Sequence, residues 1–184
     1  HEYLIEQVQT LRNHNFNTSS NVNIPISFNH PVKELIWFLR RSDVDEFKMD
    51  PCACNQVLSY GNDWFNFSKI IGTPHGFDDT FDKALLQMNG SDRFASQSAD
   101  FFRLVQTYIR HSRIPSKQIY VYLFSLRPEE YQPTGTCNYS RIDNSILNLT
   151  FSNNDSINYN ANIFATNYNV LKISGGMAGL AYSN

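Results

Sequence analysis

The chain has 184 residues and a mass of 21.3 kDa, enough for one domain with a sizeable core and short for two. Its 15 Lys and Arg against 17 Asp and Glu leave a net charge of −2, which excludes an electrostatic nucleic-acid binder, a class that needs a basic excess. With 14% aromatic residues it is no disordered tail, and no apolar run approaches the roughly 20 residues of a membrane span. The chain begins at His1 without a signal-peptide core, so it reads as part of something longer.

Alternation of apolar and polar residues predicts half-buried strands over 2–9 and 22–28. Pro25 removes a backbone donor from the second, which fits an edge strand or a bulge. After a turn at Asn29, His30 and Pro31, the apolar run Leu35 to Leu39 fits a buried strand or a short helix, and its neighbours favour a strand over 32–39. Residues 42–66 are irregular, with Pro51, Gly61, Asn62 and Asp63; a long loop in a small domain is usually functional or interfacial. A short strand at 69–71 follows. Asp78 or Asp79 is placed to cap a helix through Phe81, Ala84, Leu85 and Met88, spaced i, i+3, i+4, i+7 and ended by Asn89 and Gly90. A second helix is expected over 98–109, with Phe101, Phe102, Val105 and Ile109 on one face.

Strands return after Pro115. The segment 118–126 is β-branched and aromatic, 145–151 alternates cleanly, and 160–173 supplies one long strand or two broken ones. Seven or eight strands with short helices in a long central insertion predict a mainly β chain forming a single β-sandwich or jelly roll. No internal repeat is present.

Three cysteines, Cys52, Cys54 and Cys137, form no disulfide framework and suit a reducing compartment. One residue between Cys52 and Cys54 would crowd two thiolates on a metal, so no metal site is expected. Six N-x-S/T sequons, at Asn17, Asn66, Asn89, Asn138, Asn148 and Asn154, carry weight only in a secreted protein. His1, His14, His30, His75 and His111 are scattered, with no H-x-H, H-E-x-x-H or G-x-S-x-G pattern. The best local acid–base group is His75 with Asp78 and Asp79, and a capped helix start explains it as well. Glu129 and Glu130 are adjacent and would point to opposite sides of an extended chain. Neither an enzyme nor a cofactor is expected. The alternative is a jelly-roll carbohydrate-binding module, in which Trp37, or Trp64 with Phe65 and Phe67, would stack on sugars.

One stretch is far more specific. After the strand that starts at Ile119 comes Leu126-Arg127-Pro128-Glu129-Glu130-Tyr131-Gln132-Pro133-Thr134-Gly135-Thr136-Cys137-Asn138-Tyr139-Ser140-Arg141-Ile142-Asp143-Asn144. His30 to Trp37, Met88 to Phe94 with Phe101 and Phe102, and the terminal Asn167 to Asn184 form further blocks. In this order, over most of residues 30–184, they resemble the major capsid proteins of nucleocytoplasmic large DNA viruses, which include iridoviruses, phycodnaviruses, and mimivirus-like and asfarvirus-like agents. The resemblance implies a double jelly-roll subunit, three of which form a pseudo-hexameric capsomer tiling an icosahedral shell. Residues 1–184 would be its C-terminal jelly roll, with the N-terminal roll absent from this chain. It also implies a homotrimer with capsomer–capsomer contacts, minor capsid proteins, an internal membrane beneath the shell, and no direct nucleic acid. The protein would reside in the virion and assemble in the host cytoplasm.

Within the signature, Pro128 ends the strand ladder and Gly135 allows a sharp turn. Arg127 and Arg141 flank Glu129, Glu130 and Asp143, opposite charges sufficient to lock the loop. Arg127, Pro128, Glu129, Glu130, Gln132, Gly135, Arg141 and Asp143 are therefore the candidate site residues. Two roles stay open for them, an internal salt-bridge network and an inter-subunit contact. The tail from Gly175 to Tyr182 is Gly-rich but precedes no helix; it is read as packed closely on the sheet rather than as a phosphate cradle.

Overall fold

Alternation is clearest in the strand Asn21–Ile26, where Val22, Ile24 and Ile26 turn inward while Asn21, Asn23 and Pro25 face out. The computed structural model describes residues 1–17, 20–44, 47–49, 57–60, 64–69, 78–152 and 158–182. In chain order its strands are β1 (Glu2–Asn17), β2 (Asn21–Ile26), β3 (Pro31–Arg41), β4 (Phe47–Met49), β5 (Val57–Tyr60), β6 (Lys83–Met88), β7 (Ser91–Asp92) and β8 (Gln97–Ser98). After a helical segment come β9 (Tyr120–Leu123), β10 (Cys137–Asn138), β11 (Ser145–Thr150), β12 (Asn158–Ser174) and β13 (Met177–Leu180).

Among the described residues these strands form two large antiparallel sheets. The first runs β1-β12-β3-β10, with β9 also paired to β3 and β13 to β12; the second runs β2-β11-β6-β7, with β8 paired to β6. Leu35, Trp37 and Leu39 of β3 and Ala161, Ile163 and Ala165 of β12 meet Ile24, Ala84, Leu86, Leu147 and Leu149 of the second sheet in one core. The fully buried Leu35 and Leu39 each stabilise this sandwich by about 1.5–3 kcal/mol relative to exposure. The fold is the expected mainly β jelly roll. Pro25 sits as expected on an edge, since among the described residues β2 pairs only with β11.

Several local expectations are corrected. The helix anticipated through Phe81 to Met88 is instead strand β6, paired with β11 from Lys83 to Met88. Ala84 and Leu86 face the core at a period of two, and pairing with β11 overrides a spacing that suited a helix equally well. The second helix does form, as one π turn, Phe101–Val105, that continues into α1, Gln106–Arg110, but its expected face is not the buried one: Phe102 is buried while Val105 and Ile109 are exposed. The strand expected over 118–126 shortens to β9, because Phe124 and Ser125 turn their amides to a single carbonyl, that of Lys33. Segment 160–173 is one continuous strand. Within the irregular stretch, β4 and β5 pair with each other. Cys52, Cys54, His75 and Asn154 lie outside the described residues, as do Ile70 and Ile71 of the short strand expected at 69–71.

Trp37 is not available to stack on a sugar. It is 1% exposed, with its ring 5.2 Å from Phe102 and 6.0 Å from Tyr120.

Candidate functional site

The inward alternation of β3 breaks at one place. Leu35, Trp37 and Leu39 face the core, and so does Val32. Opposite them, Glu34 pairs with Thr166 and Val32 with the next residue, Asn167, so Lys33 is an extra residue on this strand. Such a β-bulge sends Lys33 and Glu34 to the same outer face of the first sheet.

The signature loop is seated on that bulge. The Lys33 carbonyl accepts from Phe124 N at 2.9 Å and Ser125 N at 3.1 Å, which ends β9 and starts the loop. Lys33 Nζ donates to the Pro128 carbonyl at 2.7 Å and to Glu6 Oε1 at 2.6 Å. Inside the loop, Leu126 N donates to the Thr134 carbonyl at 3.3 Å and Arg127 N to Thr134 Oγ1 at 2.8 Å. Gly135 closes this return with φ +137°, and a Cβ there would stand 2.9 Å from the Phe124 carbonyl oxygen, so only glycine fits.

A second tie comes from the end of α1. Glu129 Oε1 accepts from Ser112 N at 2.9 Å and lies 3.2 Å from His111 Nδ1. On the other side of the imidazole, Nε2 stands 3.4 Å from Glu34 Oε2, an approach too poorly aligned to be a hydrogen bond. The facing Glu34 carboxylate is the main influence raising the His111 pKa above its ordinary value; burial opposes it and Glu129 adds to it. The Ser112 amide leads in holding the Glu129 carboxyl below its usual range.

The far end of the signature meets two of the other blocks. Asn138 Oδ1 accepts from Ser140 N at 3.1 Å, capping a 3-10 turn over Tyr139–Arg141. Tyr139 N donates to the His30 carbonyl at 3.0 Å, and His30 N donates to Ser140 Oγ at 2.8 Å. Asn89 Oδ1 accepts from Asp143 N at 3.0 Å and Asn144 N at 3.1 Å. Stretches more than 50 residues apart in sequence thus converge here.

The expected charge lock across the loop is only partly formed. Arg127 and Glu130 pair at 3.1 Å, both exposed. Pro128 is buried. Gln132, Arg141 and the side chain of Asp143 are exposed and make no ion pair or hydrogen bond among the described residues. The ties come from outside the loop, through Lys33 and His111, which sequence reasoning missed. The visible signal was the charged doublet Lys33-Glu34 interrupting a buried strand, which in β structure marks a bulge.

The other candidates have structural explanations. Asp79 caps no helix; its carboxylate accepts from Arg103 Nε at 2.8 Å and from the Tyr120 hydroxyl at 2.9 Å. Burial raises the Asp79 pKa despite both donors, and burial likewise pushes the Tyr120 phenol upward. Trp64 lies under the Arg40 guanidinium at 4.6 Å, and Phe67 packs on Phe38 in a tilted pair with ring centroids 4.3 Å apart; Trp64 and Phe65 are both exposed. Cys137 is a half-buried free thiol whose pKa is raised by burial.

Residues 1–179 match the family profile described as "Large eukaryotic DNA virus major capsid protein". The chain belongs to this family. It is 38% identical over 208 residues to the major capsid protein of Pyramimonas orientalis virus, covering 100% of this chain and 43% of the relative. Identity to the major capsid protein of Paramecium bursaria Chlorella virus 1 is 35% over 222 residues, covering 100% and 49%. The crystal structure of PBCV-1 VP54, fitted into a reconstruction of the virophage Sputnik, matches with a TM-score of 0.76 at 32% identity over 100% of this chain and 52% of that one. The chain therefore spans about half the length of the curated relatives it matches. Those relatives are structural capsid proteins rather than enzymes.

Proposed function

We propose that this chain is the C-terminal jelly roll of a double jelly-roll capsid subunit whose work is self-assembly. Three subunits form a pseudo-hexameric capsomer, and capsomers tile an icosahedral shell. The observation that carries this reading is the division of labour in the signature loop. Its backbone is tied to the subunit by the Lys33 carbonyl, Lys33 Nζ and Asn89, while Leu126, Arg127 and Arg141 face solvent and Tyr131 is 89% exposed. A surface already held in shape loses little conformational freedom when a partner covers it. Exposed tyrosine and arginine are the side chains that most often anchor such contacts.

In this reading Arg127, Glu130, Gln132, Arg141 and Asp143 touch a sister subunit, and Pro128, Glu129 and Gly135 keep the loop in shape. Minor capsid proteins and an internal membrane lie beneath the shell, and the subunit joins the virion after assembly in the host cytoplasm. The relatives' identity as major capsid proteins supports the reading. Native mass spectrometry of the full-length protein from its natural source tests it, with a trimer expected. Arg141→Glu should weaken that trimer and leave the melting temperature unchanged. A monomeric wild-type protein at the same concentration would overturn the proposal, and a normal trimer from the variant would remove Arg141 from the contact.

A further inference from the structure

Beside the loop's seat, the outer face of the first sheet carries a concavity of about 500 Å³. Glu6, Glu34, Glu129 and Glu130 border it, against Lys33 and His111. Lys33 is taken by Glu6 at 2.6 Å, and Glu130 by Arg127 at 3.1 Å. Glu34 and Glu129 are left to share the single ring of His111. With that imidazole protonated the site keeps one negative charge too many, and with it neutral, two.

Two deeply buried groups on the wall also lack a donor or acceptor. Among the described residues the Tyr168 hydroxyl has no hydrogen-bond partner although the residue is 5% exposed, and Glu34 Oε2, 7% exposed as a residue, has only the misaligned approach of His111 Nε2 at 3.4 Å. Buried polar atoms in native proteins are normally hydrogen-bonded, and a carboxylate oxygen left without a well-aligned donor is among the costlier exceptions. The two sit close enough for the Glu34 charge to raise the Tyr168 pKa, after burial and Glu6.

We propose that this pocket is a receptor site for one lysine or arginine side chain of a partner protein. The cationic head, which carries only donors, satisfies Glu34 Oε2 and the Tyr168 hydroxyl and supplies the missing positive charge. Its aliphatic stem lies along Leu4 and Pro128, and the exposed Tyr131 at the rim offers a ring to the flanking backbone. A surplus of one or two charges in so small a concavity fits one side chain better than a polyamine, and an apolar wall fits a stem better than a bare ion. The surplus of carboxylates at this face makes the complementary partner one that presents a basic side chain there. This site goes beyond the assembly reading, because its charged floor of Glu34, Tyr168 and His111 lies within one subunit, beside the Glu130 edge given to a sister subunit.

The test titrates the full-length subunit with a capped pentapeptide, four alanines around one lysine, and with its arginine analogue, following the His111 ring resonances by NMR. Saturable shifts are expected with both peptides, and none when norleucine replaces lysine. Glu34→Gln should weaken binding by about tenfold or more, and Tyr168→Phe by about threefold, as expected for lost charged and neutral hydrogen bonds. Tyr168→Phe removes one oxygen atom, so it keeps the test decisive should Glu34→Gln fail to fold. No saturable shift with either cationic peptide, equal binding of the norleucine peptide, or unchanged affinity in the folded variants would overturn the proposal. Butylammonium binding as tightly as the peptide would make the pocket a free-amine site instead. The same shifts on raising subunit concentration without peptide would hand it to a neighbouring copy, and either result would overturn the assignment to a separate protein.

Discussion

The signature loop and the C-terminal hairpin both leave strands of the first sheet, yet they are held by different means. After β9 the chain is fixed by side chains and single carbonyls drawn from elsewhere in the fold: the Lys33 bulge, the end of α1, and Asn89. After β12 it turns through Gly175 and Gly176, with φ of +60° and +81°, and returns as β13 on a plain antiparallel ladder. All four residues of β13 are exposed, and the buried Asn169 ties the end of the tail by donating to the Tyr182 carbonyl at 2.8 Å. The tail is thus not packed closely against the sheet as its glycines had implied; a Cβ added at Gly175, Gly176 or Gly179 would meet nothing within 4 Å. A ladder alone fixes where a chain runs. Ties from distant residues also fix its shape, and a recognition surface needs shape.

Substitutions that probe the two segments should therefore differ. Gly135→Ala should cost the most, about 2–3 kcal/mol in urea unfolding, because it combines a positive φ with a backbone oxygen 2.9 Å from the new Cβ. Lys33→Met should follow at about 1–2 kcal/mol, since it keeps the buried stem but strands the Pro128 carbonyl. A smaller effect is expected from pH. The His111 pKa is raised above 6.5, so its protonation favours the folded state. That contribution is whole below about pH 6.5 and is lost as pH rises through the higher folded-state value. Melting temperatures of wild type and His111→Gln across this window should converge on the alkaline side; parallel curves would mean the imidazole does not tie the loop. Gly179→Ala, in the hairpin, should change stability by less than about 0.5 kcal/mol. A loss there equal to that of Gly135→Ala would erase the contrast between the two segments.

What could be read from the sequence follows the same division. Strands β2 and β11 were legible because one face of each meets the core and the other does not, so alternation is printed in the residues; β12 is covered on both faces over much of its length, which is why its continuity was not. β6 was not, because Phe81, Ala84, Leu85 and Met88 satisfy a helical spacing and only the pairing with β11 decides against it. In the loop, Gly135 and Pro128 announced themselves by their backbone chemistry. Lys33 did not, since it meets Pro128 across 95 residues of sequence and its outward direction depends on the register between β3 and β12. The same holds for His111, whose partners Glu34 and Glu129 come from a strand and a loop on either side of it. Arg141, chosen for its charge, turned out to have no counter-charge among the described residues.

The signature loop takes its shape within one subunit, before any partner arrives. Hydrogen–deuterium exchange on dissociated and assembled subunits would show this. The amides of Phe124, Ser125, Arg127, Asp143 and Asn144 should already be protected in the dissociated subunit, to the same degree as after assembly. Rapid exchange at these amides that slows only on assembly would show instead that the partner shapes the loop.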